Sequence, residues 1–278
     1  MSVRRALGSA MFAVGLLVFP TAVPVAVAEP NPQAALPAGP APVWLVADLI
    51  SGRILGGNDP YGAHAPASTI KALLAMTVLD QVAPNAAARA TEANTDVECS
   101  CVGLVPGQVY TARNLLDALL MVSGNDAANM LADMLGGYQT AIAKMNAKAV
   151  QVGARSTRAA SPSGLDGPGW ESVTTAHDLA VIYRAALNYP LIPHIMAQRA
   201  ATFPDGAGGA KQISNQDRLL TSYPGYIGGK TGYTNLAQET YVAMAQRNGR
   251  RLVAVMMYGD DDLWSQGRAL LDWGFAQQ

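Results

Sequence analysis

Two apolar stretches near the end of the chain decide its fold: TYVAMAQ at residues 240–246 and RLVAVMMY at residues 251–258. The dipeptide Asn248-Gly249 between them has the conformational freedom that a two-residue hairpin turn requires. Because both stretches are short, apolar and bounded by turn residues, they predict two antiparallel strands. Tyr226–Gly232 predicts a further strand shortly before them.

The start of the chain supplies strands of the same kind. Val43–Leu49 predicts a strand, Ser51-Gly52 a tight turn and Arg53–Leu55 the returning strand, while Trp264–Phe275 predicts a closing helix. Strands thus stand at both ends, with helices between them. We therefore predict an α+β fold: a five-stranded antiparallel sheet closed by both chain ends, flanked by helices, with an inserted all-helical lobe at about residues 85–205.

Apolar residues at helical spacing, together with capping residues, predict the helices of the middle part. One helix is expected to begin within a residue or two of Ser68 and to end near Pro84. The others are expected at Thr111–Met121, at Asp126–Leu135, at Tyr138–Val152, and from Thr174 or Thr175 to Leu187.

The first 28 residues have the pattern of an export signal. Arg4 and Arg5 precede an uncharged stretch that lasts until Glu29, and residues 26–28 are the small residues that a signal peptidase recognises. The apolar part is short for a membrane span. We therefore expect cleavage after Ala28 and secretion, with an uncleaved membrane anchor as the alternative. A Pro/Ala-rich leader (29–42) and one folded domain (43–278) are expected to follow.

Composition limits the partners of the chain. Its 278 residues carry a formal net charge of −1 without a basic patch, which argues against binding to nucleic acid or anionic lipid. Cys99 and Cys101 would meet oxidising conditions after export, so they are expected either to form a small disulfide ring or to remain as thiols. The three histidines are isolated, and we expect neither a metal nor an organic cofactor.

A first chemical motif lies in PASTIK, residues 66–71. On a helix, Ser68 and Lys71 would share one face. A neutral lysine can take the proton of a serine hydroxyl, and the positive end of a helix dipole favours that neutral form. A helix cap beside a solvated lysine is the plain alternative. The chain contains this Ser-x-x-Lys spacing only once.

A second motif, Ser123-Gly124-Asn125, lies in the predicted break between two apolar helices. Ser and Asn at such a break are commonly helix caps. The functional alternative is that Ser123 relays a proton, while the amide of Asn125 fixes a substrate carbonyl or the base lysine.

A third motif, Lys230-Thr231-Gly232, lies on a predicted strand. A phosphate-binding loop is excluded, because the glycine spacing is one residue short and no helix follows. We expect Lys230 and Thr231 to hold a substrate carboxylate from an edge strand, and Gly232 to let the substrate backbone lie close.

In this order the three motifs resemble the Ser-x-x-Lys, Ser-x-Asn and Lys-Thr-Gly signature of penicillin-recognising serine DD-peptidases and class A β-lactamases. Their separations, and the flanking segments 123–128, 161–166 and 229–234, are similar to those of low-molecular-weight D-alanyl-D-alanine carboxypeptidases. The resemblance spans about residues 43–275, and the Cys-Ser-Cys segment is similar to that of secreted actinobacterial members. The chain ends directly after the last predicted helix, so we expect no stable membrane anchor.

The resemblance implies that substrate acylates Ser68 and that Lys71 is the general base. Ser123 would help to pass the proton to the leaving D-alanine, with Asn125 beside it. Lys230 and Thr231 would bind the terminal carboxylate of the substrate. Main-chain N–H groups of Ser68 and Tyr233 would form the oxyanion hole.

The implied reaction is removal of the terminal D-alanine from peptidoglycan stem pentapeptides by one catalytic domain, with penicillins as covalent inhibitors. Class A β-lactamases release the acyl group with a glutamate in a Glu-x-x-Leu-Asn pattern. Glu171 is the one glutamate between the second and third motifs, and Ser172-Val173-Thr174-Thr175 follows it, which does not fit. A class A-like β-lactamase, a DD-endopeptidase and a non-catalytic peptidoglycan-binding module are the alternatives.

Overall fold

The structure of the protein is a computed structural model that describes residues 41–206, 208–259 and 262–277. The predicted signal peptide (1–28) and residues 29–40 of the predicted leader lie outside the described residues. Within the described ranges, no helix has both the length and the apolar character needed to cross a membrane.

The described residues form the following strands and helices, given in chain order. They are β1 (Val43–Asp48), β2 (Ile54–Asn58), a 3₁₀ turn (Ala67–Ile70), α1 (Lys71–Leu79), β3 (Ala87–Arg89), α2 (Glu92–Thr95), β4 (Val109–Thr111), α3 (Ala112–Met121), α4 (Asn125–Met134), α5 (Tyr138–Val152), α6 (Ala176–Ala186), α7 (Leu191–Met196), β5 (Ala200–Pro204), β6 (Ala210–Ser214), α8 (Leu219–Ser222), β7 (Tyr226–Thr234), β8 (Gln238–Arg247), β9 (Arg250–Gly259) and α9 (Leu263–Ala276).

The predicted sheet is confirmed. Five strands lie in the order β2-β1-β9-β8-β7, and every neighbouring pair is antiparallel. The β8–β9 hairpin turns at Asn248 and Gly249, which both have positive φ, as a tight hairpin turn requires. Strand β1 pairs with β9, so the two ends of the folded chain meet in the middle of the sheet. Strand β7 is left at the edge.

Both faces of the sheet are covered. Successive strand residues point to opposite faces, so Val242 and Val253 join the core under the central helices, while Ala243 and Ala254 join a second core under α9. Helix α1 lies inside the first of these cores, and its residues 71–78 are all buried. The residue that begins α1, Lys71, is therefore buried because of the position of the helix.

Two local predictions differ from the structure. Ser68 lies in the 3₁₀ turn, and α1 begins only at Lys71 and ends at Leu79, five residues before Pro84. The predicted lobe is not all-helical, because two ribbons, β3–β4 and β5–β6, accompany its helices. The strands of the first ribbon are only three residues long, too short to show an alternating pattern.

Candidate active site

The turn that carries Ser68 is held between two glycines. Ala67, directly before it, has φ +46°, a left-handed conformation that is costly for a residue with a Cβ. A Cβ on Gly164 would lie 1.9 Å from the main-chain oxygen of Ala67, and one on Gly232 would lie 2.6 Å from the nitrogen of Ser68. Only glycine allows the backbone to approach this closely, so both neighbouring segments fix the position of Ser68.

The side chain of Lys71 is fully buried and joins several segments of the chain. Its Nζ lies 2.6 Å from Ser68 Oγ, 2.7 Å from Asn125 Oδ1 and 2.8 Å from the main-chain oxygen of Ser163. Burial holds the pKa of Lys71 well below its usual value; the positive charge of Lys230 lowers it further, and Asp126 opposes both. The neutral amine is thereby favoured.

The partners of Nζ also determine where a neutral amine points its lone pair. The carbonyl of Ser163 can only accept a hydrogen bond. Asn125 likewise presents its oxygen, because its Nδ2 donates to the main-chain oxygen of Glu98 at 2.7 Å. These two acceptors take the two N–H bonds of a neutral amine. The lone pair is then left for the hydroxyl hydrogen of Ser68.

Ser123 lies in the predicted break, between the end of α3 and the start of α4. Its φ of +63° is again left-handed, and its buried hydroxyl is 3.4 Å from Nζ of Lys71. A strained backbone at two of the three motifs is the kind of feature that folded proteins keep at functional sites.

Lys230 lies on the edge strand β7, as predicted, and is buried. Its Nζ donates to the main-chain oxygen of Thr231 at 2.6 Å. Burial lowers the pKa of Lys230 to about 7, and the negative charge of Asp217 opposes this effect. Lys230 can therefore carry a positive charge at neutral pH, and its amine lies against the main chain of Thr231.

An open cleft of about 290 Å³ is lined by residues from all three motifs. The predicted site residues in its lining are Ser68, Ser123, Asn125, Thr231, Gly232 and Tyr233. Tyr233 is just over half exposed and lies one residue after the close approach of Gly232 to Ser68. The structure thus brings all the predicted site residues together, with Lys71 and Lys230 buried beside the cleft.

The sequence motifs missed a loop on one wall of the cleft. Glu98, Cys99 and Ser100 line the cleft, and Cys99 forms a disulfide with Cys101. Asn125 holds this loop through the bond from its side chain to Glu98 and through its main-chain nitrogen, which donates to the oxygen of Ser100 at 2.6 Å. Asn125 therefore joins Lys71 to the disulfide loop.

Asp126 and Asp166 were missed as well. The carboxylate of Asp126 accepts from the main-chain nitrogens of residues 102–104, at 2.8 to 3.0 Å. Asp166 accepts from the hydroxyl of Thr234 at 2.6 Å, which ties the loop carrying Gly164 to the end of β7. The one sequence signal for each was its place in a segment similar to the family, 123–128 for Asp126 and 161–166 for Asp166.

Comparison with known proteins establishes the family of this chain. The sequence profile of the family described as D-alanyl-D-alanine carboxypeptidase, peptidase family S11, matches residues 30–261. The chain belongs to this family. It is 55% identical over 253 residues to the D-alanyl-D-alanine carboxypeptidase DacB2 of Mycobacterium tuberculosis, a match that covers 89% of this chain and 87% of that protein. It is 29% identical to DacF of Bacillus subtilis, covering 82% of this chain but only 60% of that carboxypeptidase.

Solved structures of similar proteins have the same fold. A D-alanyl-D-alanine carboxypeptidase from Mycobacterium tuberculosis matches with a TM-score of 0.87 and 55% identity, over 90% of this chain and 96% of that one. Penicillin-binding protein D2 from Listeria monocytogenes, solved in its ampicillin-bound form, matches with a TM-score of 0.75 and 26% identity, over 88% of this chain and the whole of that one. The predicted recognition is confirmed, and so is the α+β fold class with a five-stranded antiparallel sheet and helices.

Proposed function

We propose that this carboxypeptidase acts through an acyl-enzyme on Ser68, with Lys71 as its general base. The observation that carries the proposal is the environment of Lys71. Its amine is buried and 2.6 Å from Ser68 Oγ, and two acceptors occupy its N–H bonds. A base must be within hydrogen-bond reach of the proton it removes and must be unprotonated. The 2.6 Å contact with Ser68 Oγ supports the first condition, and the lowered pKa of Lys71 favours the unprotonated amine that the second requires.

In the first step, Ser68 Oγ attacks the carbonyl carbon of the peptide bond between the last two D-alanines, while Lys71 takes the hydroxyl proton. The oxyanion of the tetrahedral intermediate is stabilised by main-chain N–H groups of Ser68 and Tyr233. As the C–N bond breaks, the proton passes to the nitrogen of the leaving D-alanine with the help of Ser123. Water then attacks the ester carbonyl, and Ser68 regains its proton.

The terminal carboxylate of the substrate binds at the third motif. Lys230 supplies a positive charge beside the cleft, and Thr231, in the cleft lining, supplies a hydroxyl. Gly232 leaves room for the substrate backbone against the strand. Asn125 has its carbonyl oxygen on Lys71 and its amide nitrogen on the disulfide loop, so its role is to hold the base and the cleft wall.

Penicillins are proposed to acylate Ser68 as the substrate does, and to leave slowly. Slow release is proposed because Glu171, the one glutamate between the second and third motifs, does not fit the Glu-x-x-Leu-Asn pattern of class A β-lactamases. Its carboxylate accepts from the main-chain nitrogen of Gly169 within its own loop. The ampicillin-bound relative described above supports the same proposal. The natural substrates are proposed to be peptidoglycan stem peptides in the cell envelope, which the chain would reach by export and cleavage after Ala28.

The test is release of D-alanine from diacyl-L-Lys-D-Ala-D-Ala by the wild-type protein and by Ser68→Ala. The wild type is expected to release D-alanine, and Ser68→Ala to release none, because the attacking oxygen is gone. Ser100→Ala is the matched control, since Ser100 also lines the cleft but is exposed and bonded to the main chain of Val122. Release by Ser68→Ala at the wild-type rate would contradict the proposal.

A further inference from the structure

A buried carboxylate, Asp217, lies next to Lys230. Asp217 follows Gln216, a residue of the cleft lining, and both border a small cavity together with Lys230 and Thr231. A Cβ on Gly229, the residue before Lys230, would lie 2.9 Å from Asp217 Oδ2. The carboxylate therefore lies against the edge strand at Gly229, the residue next to Lys230.

Three donors hold this carboxylate. Tyr226 donates its hydroxyl to Oδ2, Tyr241 donates its hydroxyl to Oδ1 at 2.8 Å, and the main-chain nitrogen of Leu219 donates to Oδ1 at 3.0 Å. The two tyrosine hydroxyls are 2.8 Å apart. Burial raises the pKa of Asp217 above its usual value, whereas the bonds from the tyrosines and Leu219 and the charge of Lys230 lower it. Donors on both oxygens stabilise the ionised form.

The charges around Lys230 come from separate segments. Asp217 is the negative charge that raises the pKa of Lys230 against the effect of burial. Lys71, on α1, is the amine whose pKa is lowered by the charge of Lys230, after the larger effect of burial. Tyr226 and Tyr241 face Asp217 as neutral hydroxyls, because burial raises the pKa of each well above its usual value. Asp217 thus favours a charged Lys230, which in turn favours a neutral Lys71.

We propose that Asp217, held by Tyr226 and Tyr241, is a positioning residue that keeps Lys230 an ammonium ion and so maintains recognition of the substrate carboxylate. This inference rests on the proposed function, because it requires that Lys230 binds that carboxylate. Without the charge of Asp217, Lys230 loses its proton at a lower pH. Substrates that end in a carboxylate are then bound poorly at neutral and alkaline pH, although Ser68 and Lys71 are intact.

The test is the pH profile of kcat/KM for D-alanine release by Asp217→Asn, which keeps the shape of the side chain and removes its charge. A neighbouring opposite charge shifts a pKa by about one unit or more. The descending limb of the profile is therefore expected to move down by about one pH unit, a loss of about tenfold at pH 8 and little loss at pH 6. Most of the loss should appear in KM, because the carboxylate is bound through Lys230; kcat should fall less, through the higher pKa that Lys71 has beside a neutral Lys230. Asp217→Glu, which restores the charge, is expected to restore the limb.

Asp272→Asn is the matched control, because Asp272 also accepts from a tyrosine, Tyr223, at 2.8 Å, but at an exposed site. Its profile is expected to equal that of the wild type. If thermal unfolding shows that Asp217→Asn does not fold, Asp217→Ser, which is smaller and uncharged, takes its place. If the descending limb of Asp217→Asn lies at the wild-type pH, or if kcat/KM falls equally at every pH, the inference is overturned while the proposed function stands. A wild type that releases no D-alanine overturns the proposed function and this inference with it.

Discussion

Gly232→Ala tests whether the position of the nucleophile depends on the edge strand. The added Cβ would lie 2.6 Å from the main-chain nitrogen of Ser68 and 2.7 Å from Thr240 Oγ1. An ordinary contact begins near 3.4 Å, so Ser68 and the strand must separate by about 0.8 Å. A displacement of about 1 Å in a catalytic constellation costs about 100-fold in rate, which corresponds to about 2.7 kcal/mol of transition-state stabilisation.

The assay for Gly232→Ala is the second-order rate constant for acylation by a penicillin, together with thermal unfolding. Gly274→Ala is the matched control, since its Cβ would lie 2.7 Å from a methyl group of Val46 under α9, on the other side of the sheet. Both substitutions are expected to cost about 1–3 kcal/mol of stability by overpacking. Only Gly232→Ala should slow acylation. A folded Gly232→Ala protein that acylates as fast as the wild type would refute the proposed placement of Ser68 against β7.

Three further predictions concern the base, the pH dependence and the loop at Asp166. Lys71→Met should fold but should be acylated by penicillin about 100-fold to 10,000-fold more slowly than the wild type. Lys144→Met is the control, at a lysine bonded to Gln81 on the surface, and it should be acylated at the wild-type rate. Equal rates for the two variants would place the base elsewhere. In the wild type, kcat/KM should rise with pH as Lys71 loses its proton, and it should fall above about pH 7 as Lys230 loses its proton. A profile that is flat across pH 7–9 would contradict the role of Lys230. Thr234→Val should lower the free energy of unfolding in urea by about 1–3 kcal/mol, because Asp166 loses its donor, and the exposed Thr221→Val should change it little; equal losses would argue against the tie between the two segments.

The sheet was predictable because its signals are local. Asn248-Gly249 and the two apolar stretches beside it occur within 20 residues, and the structure has the hairpin there. The turn at Ser68 was only partly predictable. Ala67 has a left-handed conformation, and Gly164 and Gly232 approach the turn from distant parts of the chain; helical spacing does not reveal such contacts.

The candidate site was likewise predictable where its signals are local and not where they depend on the folded chain. The three motifs identify side chains that the structure brings to one cleft, because each motif is short and occurs once. The carbonyl of Ser163, which orients the amine of Lys71, is a main-chain group without any sequence signal. Asp217 could not be linked to Lys230 either, since their proximity depends on hydrogen bonds from β7 and β8 that exist only in the folded chain.

The most direct test of the central claim is mass spectrometry of the protein after brief reaction with a penicillin, followed by digestion and location of the adduct. We predict one lasting adduct on the peptide that contains Ser68, together with release of D-alanine from diacyl-L-Lys-D-Ala-D-Ala in a parallel reaction. Rapid hydrolysis of the penicillin without a lasting adduct, or an adduct on any other residue, would contradict the claim.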